Sequence, residues 1–329
     1  MAPAPSAFLP ASRRAALAAV IAVGALLALA VRSTAPGPSL GAGGARVTVP
    51  TSGAMTSLAV IGDFGTADAA ETAVASLVAG WSPAAVLSVG DDYYASAGGS
   101  GLDRYDRTVG GSYCAFLRGA YPGRECPTGG TADMNRFWSA AGNHEYTDGG
   151  IANYTGYFPP PGDQPYYSVT IGSVEVFVLD SDAALRTPSL MAAEQAWLRT
   201  AATASTAAWQ VVLFHHPPYS SGLTHGSSTA MRWPFATWGI DLVVSGHEHD
   251  YERVAVEGIT YVVDGLGGAG IYRFGRPIAG SQVRYNADHG ALRLDATAIE
   301  LGGTFMSVDG VIQDTFTVTQ VLPGPVATP

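Results

Sequence analysis

Short apolar runs that stop abruptly at a polar residue recur along this chain. Residues 57–61 and 85–89 are apolar runs, ending in Gly62-Asp63 and Gly90-Asp91. Residues 137–141 run into Gly142-Asn143-His144, residues 209–214 into His215, and residues 240–244 into Ser245-Gly246-His247. Runs of this length, bounded by turn residues, predict buried strands. Between the first two, residues 67–80 have helical spacing with Gly at the end, so the order strand, helix, strand predicts an α/β unit. Residues 166–171 and 174–179 flank Gly172-Ser173 and predict a hairpin. Residues 189–204 predict a helix with Trp197 and Leu198 on its apolar face, and residues 251–321 alternate short strands with glycine turns. Residues 96–131 are glycine-rich and are expected to form a long loop.

The two ends differ from this pattern. Residues 15–31 are apolar and follow Ser12-Arg13-Arg14, with small residues at Ala28-Leu29-Ala30. These are the parts of a secretory signal peptide, expected to be cleaved after Ala30. The run is also nearly long enough to span a bilayer, so an uncleaved N-terminal membrane anchor is the competing reading of residues 1–31. The arginine pair resembles a twin-arginine signal, a route for folded proteins. The expectation is an exported chain, secreted, periplasmic or at the cell surface. Residues 32–56 are expected to be a flexible linker, residues 57–322 a single catalytic domain, and residues 323–329 a disordered tail.

Composition narrows the function. Hydrophobic residues make up 47% of the 329 and charged residues 13%, which describes a globular protein. The net charge is −10 and no basic run occurs, so no nucleic-acid surface is evident. An anionic substrate would need a local positive charge, which metal ions could supply. The two cysteines, Cys114 and Cys126, lack zinc-ribbon spacing. In an exported chain they predict one disulfide across the glycine-rich segment, the alternative being two free thiols.

Candidate chemistry sits where the strands end. Asp63, Asp91, Asn143, His215 and His247 each follow one, at the strand ends where α/β sheets bind ligands. Each has a bland alternative: Asp63 and Asp91 as helix caps, Tyr94 as core packing, His289 as structural. Taken in order, Gly62-Asp63-Phe64-Gly65, Gly90-Asp91-Asp92-Tyr93-Tyr94, Gly142-Asn143-His144-Glu145, His215 and Gly246-His247-Glu248-His249 resemble the motifs of the calcineurin-like metallophosphoesterases. The tyrosine three residues after Asp91, with Asp250-Tyr251-Glu252-Arg253 completing the last motif, is similar to the purple acid phosphatase branch.

The resemblance implies a four-layer αββα sandwich of two mixed β-sheets, an α/β (α+β) fold, with a dinuclear metal site at the strand C-terminal ends. It implies that Asp63, Asp91, Tyr94 and His249 hold a ferric ion. Asp91, Asn143, His215 and His247 would hold a divalent ion (Fe, Zn or Mn), with Asp91 bridging. Tyr93 could exchange roles with Tyr94. Pro217 selects His215 over His216, leaving His216 as a surface or supporting residue. His144 would bind phosphate or protonate the leaving group, and His225 would line the substrate pocket. Asp92, Glu145 and Glu248 are expected to support the site or face solvent, and Asp180 to support the core.

The implied activity is hydrolysis of small phosphate monoesters, as in acid phosphatases, by a metal-bound hydroxide. Alternatives are a phosphodiesterase or nucleotidase on the same scaffold, or an exported binding protein that has lost catalysis. The last would lack a ligand, and none is missing. A serine hydrolase is disfavoured because no Gly-x-Ser-x-Gly elbow accompanies a suitable Asp and His.

Overall fold

The computed structural model describes residues 44–51, 53–147, 150–162 and 164–320. The expected N-terminal signal or anchor and the expected tail lie outside the described residues. In chain order the strands are β1 (Arg46–Val49), β2 (Thr56–Ile61), β3 (Ala85–Ser88), β4 (Phe137–Ser139), β5 (Tyr167–Ile171), β6 (Val174–Val178) and β7 (Trp209–Leu213). They continue with β8 (Leu242–Ser245), β9 (Tyr251–Val256), β10 (Ile259–Asp264), β11 (Ser281–Tyr285), β12 (Gly290–Ala296), β13 (Leu301–Ser307) and β14 (Ile312–Val318). One sheet has the order β1-β5-β6-β7-β8-β10-β9-β11 and the other β14-β13-β12-β2-β3-β4.

The period of two along the strands builds the layers. On β2, Leu58 and Val60 enter the core between the sheets, while Ala59 and Ile61 face outward beneath a helix. On β7, Val211 and Leu213 enter the same inter-sheet core, and Val212 points to the opposite outer face. Helix Ala69–Trp81 covers the smaller sheet through Val74, Ala75 and Val78. It starts because the Asp68 carboxylate accepts from Ala70 N and Glu71 N at 2.9 and 3.2 Å. Helix Pro188–Thr203 covers the larger sheet with Leu198 and Ala202 buried and Trp197 packed against them. Two mixed sheets with helices outside give the α/β sandwich expected.

Two expectations are corrected. Residues 46–49, placed in the flexible linker, form β1, which pairs in parallel with β5. Val47 and Val49 alternate with polar neighbours and pack on the inter-sheet core, so the folded unit starts before residue 57. The segment 96–131 is not a plain loop. Asp103–Tyr105, Asp106–Gly110, Gly111–Tyr113 and Cys114–Phe116 follow one another as short helical turns. Tyr105, Val109, Tyr113 and Phe116 recur at helical spacing and are buried, a pattern hidden in the sequence by the surrounding glycines. Cys114 and Cys126 are joined in a disulfide, as expected, with Cα atoms 5.5 Å apart. Asp106 fixes the far side of that loop by accepting from Glu125 N and Cys126 N at 2.8 and 3.0 Å.

Strands β2, β3 and β4 run parallel in one sheet, and β6, β7 and β8 in the other. Their C-terminal ends meet at one edge of the sandwich, where the His215 ring in one sheet's loop reaches Val89 O in the other's at 3.1 Å. Phe305 helps hold the sheets together lower down: it is fully buried and stacks on Tyr251 with centroids 4.0 Å apart. Phe305→Ala should therefore destabilise the protein by roughly 3–5 kcal/mol, the usual range for such a truncation. A lowered denaturant midpoint would register this; an unchanged midpoint would contradict the packing.

Candidate metal centre

Five turns carry the polar residues to this edge, and their backbones are unusual. Asp63, Asp91 and His247 have φ of 54, 55 and 71°, in the left-handed region that non-glycine residues seldom adopt. Such strain persists only where surroundings enforce it, and it clusters at functional sites. Gly90 has φ of 102°, which a side chain would resist. At Gly246 a Cβ would come within 2.4 Å of Asp63 Oδ2, so glycine allows two ligand turns to touch.

The side chains converge. Tyr94 OH lies 3.3 Å from Asp63 Oδ1, 3.1 Å from Asp91 Oδ2 and 3.0 Å from His249 Nε2. His249 Nε2 is 3.4 Å from Asp63 Oδ1. On the other side, His215 Nε2 is 3.3 Å from Asp91 Oδ2, 3.1 Å from Asn143 Oδ1 and 3.1 Å from His247 Nδ1. Asp63, Asp91 and His249 thus form one group able to hold a metal ion, and Asp91, His215 and His247 another. Asp91 belongs to both, and all seven residues expected as ligands meet here.

The rings are aimed before any ion arrives. His215 Nδ1 faces Val89 O, and His249 Nδ1 faces Gly270 O at 2.8 Å. Occupying one ring nitrogen on a carbonyl leaves the other as the lone-pair donor. Asp63 is set by His247 N, which donates to Oδ2 at 2.9 Å, and Asp91 by His144 N, which donates to Oδ1 at 3.0 Å.

The charge balance calls for a cation. Asp63 and Asp91 are buried, and among the described residues no arginine forms an ion pair with either. Burial disfavours a charged His215, yet Asp91 and Asp63 outweigh it and pull the imidazole up to about 10. Burial likewise works against a charged Asp91, but His215 and His144 hold its carboxyl well below the usual range. His247 moves the other way, pushed down by burial and by its imidazole neighbours. Burial, Asp91 and Asp63 push the Tyr94 phenol well up. The His215 and Asp91 shifts point the same way: the buried carboxylates demand positive charge, and a bound cation would supply it while leaving every imidazole neutral. Carboxylate, phenol, amide and imidazole donors together suit hard and borderline ions.

The supporting residues settle several open points. Tyr93 turns into the core, under the Arg104 guanidinium at 4.5 Å, so Tyr94 alone faces the cluster. His144 borders it, its ring 4.4 Å from that of Tyr94 and its Nε2 4.0 Å from Asp91 Oδ2. His225 also reaches it, stacked on His247 with centroids 3.9 Å apart. His216 is not on the surface: it is buried, with Nδ1 2.9 Å from Ser181 Oγ. Asp92, Glu145 and Glu248 are not solvent-facing either: all three are buried, the two glutamates against backbone donors of the turns and Asp92 against two serine hydroxyls. Glu145 accepts from Gly142 N, Asp91 N and Asp92 N at 2.7, 3.0 and 3.0 Å. Glu248 accepts from His225 N and Gly226 N, and Asp92 from Ser88 and Ser139. Asp180 caps helix Ser181–Arg186, and His289 Nε2 lies 3.0 Å from Ala269 O, away from the cluster. Sequence reasoning missed Tyr272, whose ring lies flat on His249; no motif marks it.

The calcineurin-like phosphoesterase family matches residues 56–251. No curated protein matches the chain. Among solved structures it is similar to GAP50, the anchor in the inner membrane complex of Plasmodium, at 16% identity and a TM-score of 0.63, covering 81% of this chain and 89% of that one. It is similar to purple acid phosphatase PPD1 from yellow lupin (Lupinus luteus) seeds at 18% identity and 0.61, covering 80% of this chain and 53% of that one, so it spans about half of PPD1. PhoD is similar at 13% and 0.51, with 81% and 70% covered. These likenesses establish the shared fold.

Glu145 gives a direct test of how the turns are held. Glu145→Ala strands three buried N–H groups, each worth about 1–3 kcal/mol when unpaired. The expected outcome is a loss of at least ~2 kcal/mol in stability. Denaturant unfolding checks it, and a variant as stable as the parent would show that these bonds do not hold the turns.

Proposed function

Because the chain belongs to the calcineurin-like phosphoesterase family, we propose that it hydrolyses phosphate monoesters as a purple acid phosphatase does, at two cations held by the seven clustered side chains. The observation that carries this reading is Tyr94. Its phenol oxygen sits within 3.0–3.3 Å of Asp63, Asp91 and His249, where a tyrosinate would favour a ferric ion. Asp63, Asp91, Tyr94 and His249 would hold that ion. Asp91, Asn143, His215 and His247 would hold a divalent Fe, Zn or Mn.

Bound there, such ions supply Lewis acidity toward phosphoryl oxygens and lower the pKa of water. Two carboxylates and a tyrosinate give −3 against +5 from a ferric–divalent pair, so an anion can enter a protein of net charge −10. The chain's own residues do the rest. His144, with its side chain one-third exposed at the edge of the cluster, reaches the substrate to bind phosphate or protonate the leaving oxygen. His225 flanks the opposite side from an exposed loop. Two imidazoles closing on the cluster favour a small monoester over an extended diester or a nucleotide. The likeness to an anchor protein raises a non-catalytic reading, but the complete donor set argues for catalysis.

Export fits the same picture. The Cys114–Cys126 disulfide suits an oxidising compartment, and the apolar N-terminal stretch suits a signal or anchor. Among the described residues no helix is long and apolar enough to cross a membrane.

Purified protein should carry about two metal ions per chain, and stripping them with a chelator should abolish phosphatase activity; metal-free protein with full activity would reject the reading. Asp91→Ala should cost more activity than His225→Ala, because the bridging carboxylate serves both ions, and equal losses would count against the bridge. His144→Ala should lower kcat by about 10²–10⁴-fold with both ions retained, the span of one general acid. With iron bound the protein should be coloured, and Tyr94→Phe should bleach it.

A further inference from the structure

His249 is held on more sides than a ligand imidazole needs for its bond alone. Its Nε2 faces Tyr94 OH and Asp63, and its Nδ1 faces Gly270 O at 2.8 Å. One ring face is covered by Tyr272, with centroids 3.9 Å apart and planes 8° from parallel. Gly270 and Tyr272 belong to one short stretch, which is anchored independently. Tyr272 N donates to His249 O at 2.9 Å, and Asn286 Nδ2 donates to Tyr272 O at 2.7 Å.

The stretch is also joined to the loop that carries His225. Gly222 and Phe274 form an antiparallel bridge, Leu223 N donates to Arg273 O at 3.0 Å, and Gly275 N donates to Ser221 O at 2.7 Å. Ser221 in turn donates from both N and Oγ to the buried Glu252 carboxylate. The ring stacked on His249 therefore comes from a rigid, doubly tied strip, not from a free loop.

We propose that Tyr272, beyond the family-matched residues 56–251, is the positioning residue for His249 and thereby sets the affinity of the cation site shared by Asp63, Asp91, Tyr94 and His249. The inference rests on the two-cation reading above. The physical argument has two parts. The bond to Gly270 O fixes how the imidazole is turned about its own axis but leaves the ring free to tilt out of the plane of the donors. A flat aromatic ring at van der Waals distance removes that tilt, so the donor nitrogen is aimed without reorganisation when the ion binds. The same ring excludes water from one side of the ligand, which strengthens the ion's interaction with it. The other site, which contains His247, has His225 stacked on it at a looser 28°, and Tyr272 meets that site only through the edge of His225, at 5.8 Å between centroids and 54° between planes, without lying on a donor ring there.

The test uses the full-length, metal-loaded protein and titrates ion release with a graded chelator, counting both ions per chain. Tyr272→Ala should release one ion at a roughly 10–100-fold lower chelator concentration, the usual cost of losing a partner that orients a metal ligand. The second ion should leave as in the parent. Tyr272→Phe keeps the stack and should behave as the parent, including any visible absorption band. If Tyr272→Ala does not fold, Tyr272→Leu, which covers the same face without a stackable ring, is titrated in its place and should release the same single ion. Parent-like retention in Tyr272→Ala or Tyr272→Leu would overturn the inference. So would loss by Tyr272→Phe equal to that by Tyr272→Ala, because the phenol oxygen and not the ring would then be the active part. A parent protein that binds no ions would sink the two-cation reading and this inference together, whereas equal retention by parent and Tyr272→Ala sinks this inference alone.

Discussion

The Asp91 carboxylate is the point on which both halves of the site turn. One oxygen is fixed by the His144 amide, and the other faces Tyr94 on one side and His215 on the other. To reach that position Asp91 accepts a left-handed backbone and nearly complete burial. Such a charge is tolerable only if positive charge comes to it. Asp91 and Asp63 pull the His215 imidazole toward its protonated form, the direction in which that demand acts. In the metal-loaded enzyme the ions would provide the positive charge, and the imidazole would return to its neutral, donating form. The acidic interior is thus a demand for cations built into the fold.

That demand is met at a seam. Asp63, Asp91 and Asn143 leave the strands of one sheet, while His215, His247 and His249 leave the other. Neither sheet holds a full donor set, so the relative placement of the sheets is itself a determinant of the chemistry. This explains why the contact of His215 Nδ1 with Val89 O matters beyond its own energy: it ties a candidate donor of one sheet to the turn that precedes Asp91 in the other. The inter-sheet core of Leu58, Val60, Val176, Val211, Leu294 and Phe305 stabilises the fold and also sets the spacing of the donors.

Much of this was legible in the sequence. Apolar runs ending in Gly-Asp, Gly-Asn or Gly-His announced both the strands and the positions where polar groups would gather, because buried parallel strands leave little else for their C-terminal ends to do. Tyr94 was separable from Tyr93 only through a family resemblance; the structure separates them by putting Tyr93 in the core. What failed to show was of three kinds. Strand β1 was hidden in a stretch rich in glycine, proline, serine and threonine, because its short apolar pair is buried only once β5 lies beside it. Helical turns between Asp103 and Phe116 were masked by glycines that depress local helix propensity, and tertiary burial of four aromatic and aliphatic residues overrides it. Tyr272 was invisible for a different reason. It acts by lying flat on a residue 23 positions earlier in the chain, and no spacing rule encodes a stack between two loops.

A second regularity appears once the glutamates are placed. Glu145, Glu248 and Glu252 each lie within or just after one of the candidate ligand motifs, are fully buried, and accept from two or more donors of a turn. Turns that approach a metal centre cannot use sheet or helix bonds for their N–H groups, and buried donors must find acceptors. A carboxylate offers two oxygens, each able to take more than one donor, so a single side chain can satisfy a whole turn where an amide would satisfy half of it. The Gly-Asn-His-Glu and Gly-His-Glu-His stretches therefore combine two functions in adjacent residues: Asn143, His247 and His249 point into the donor cluster, and the glutamate turns inward to hold neighbouring backbone. Part of the formal acidic count of the chain belongs to this internal scaffolding and not to its surface.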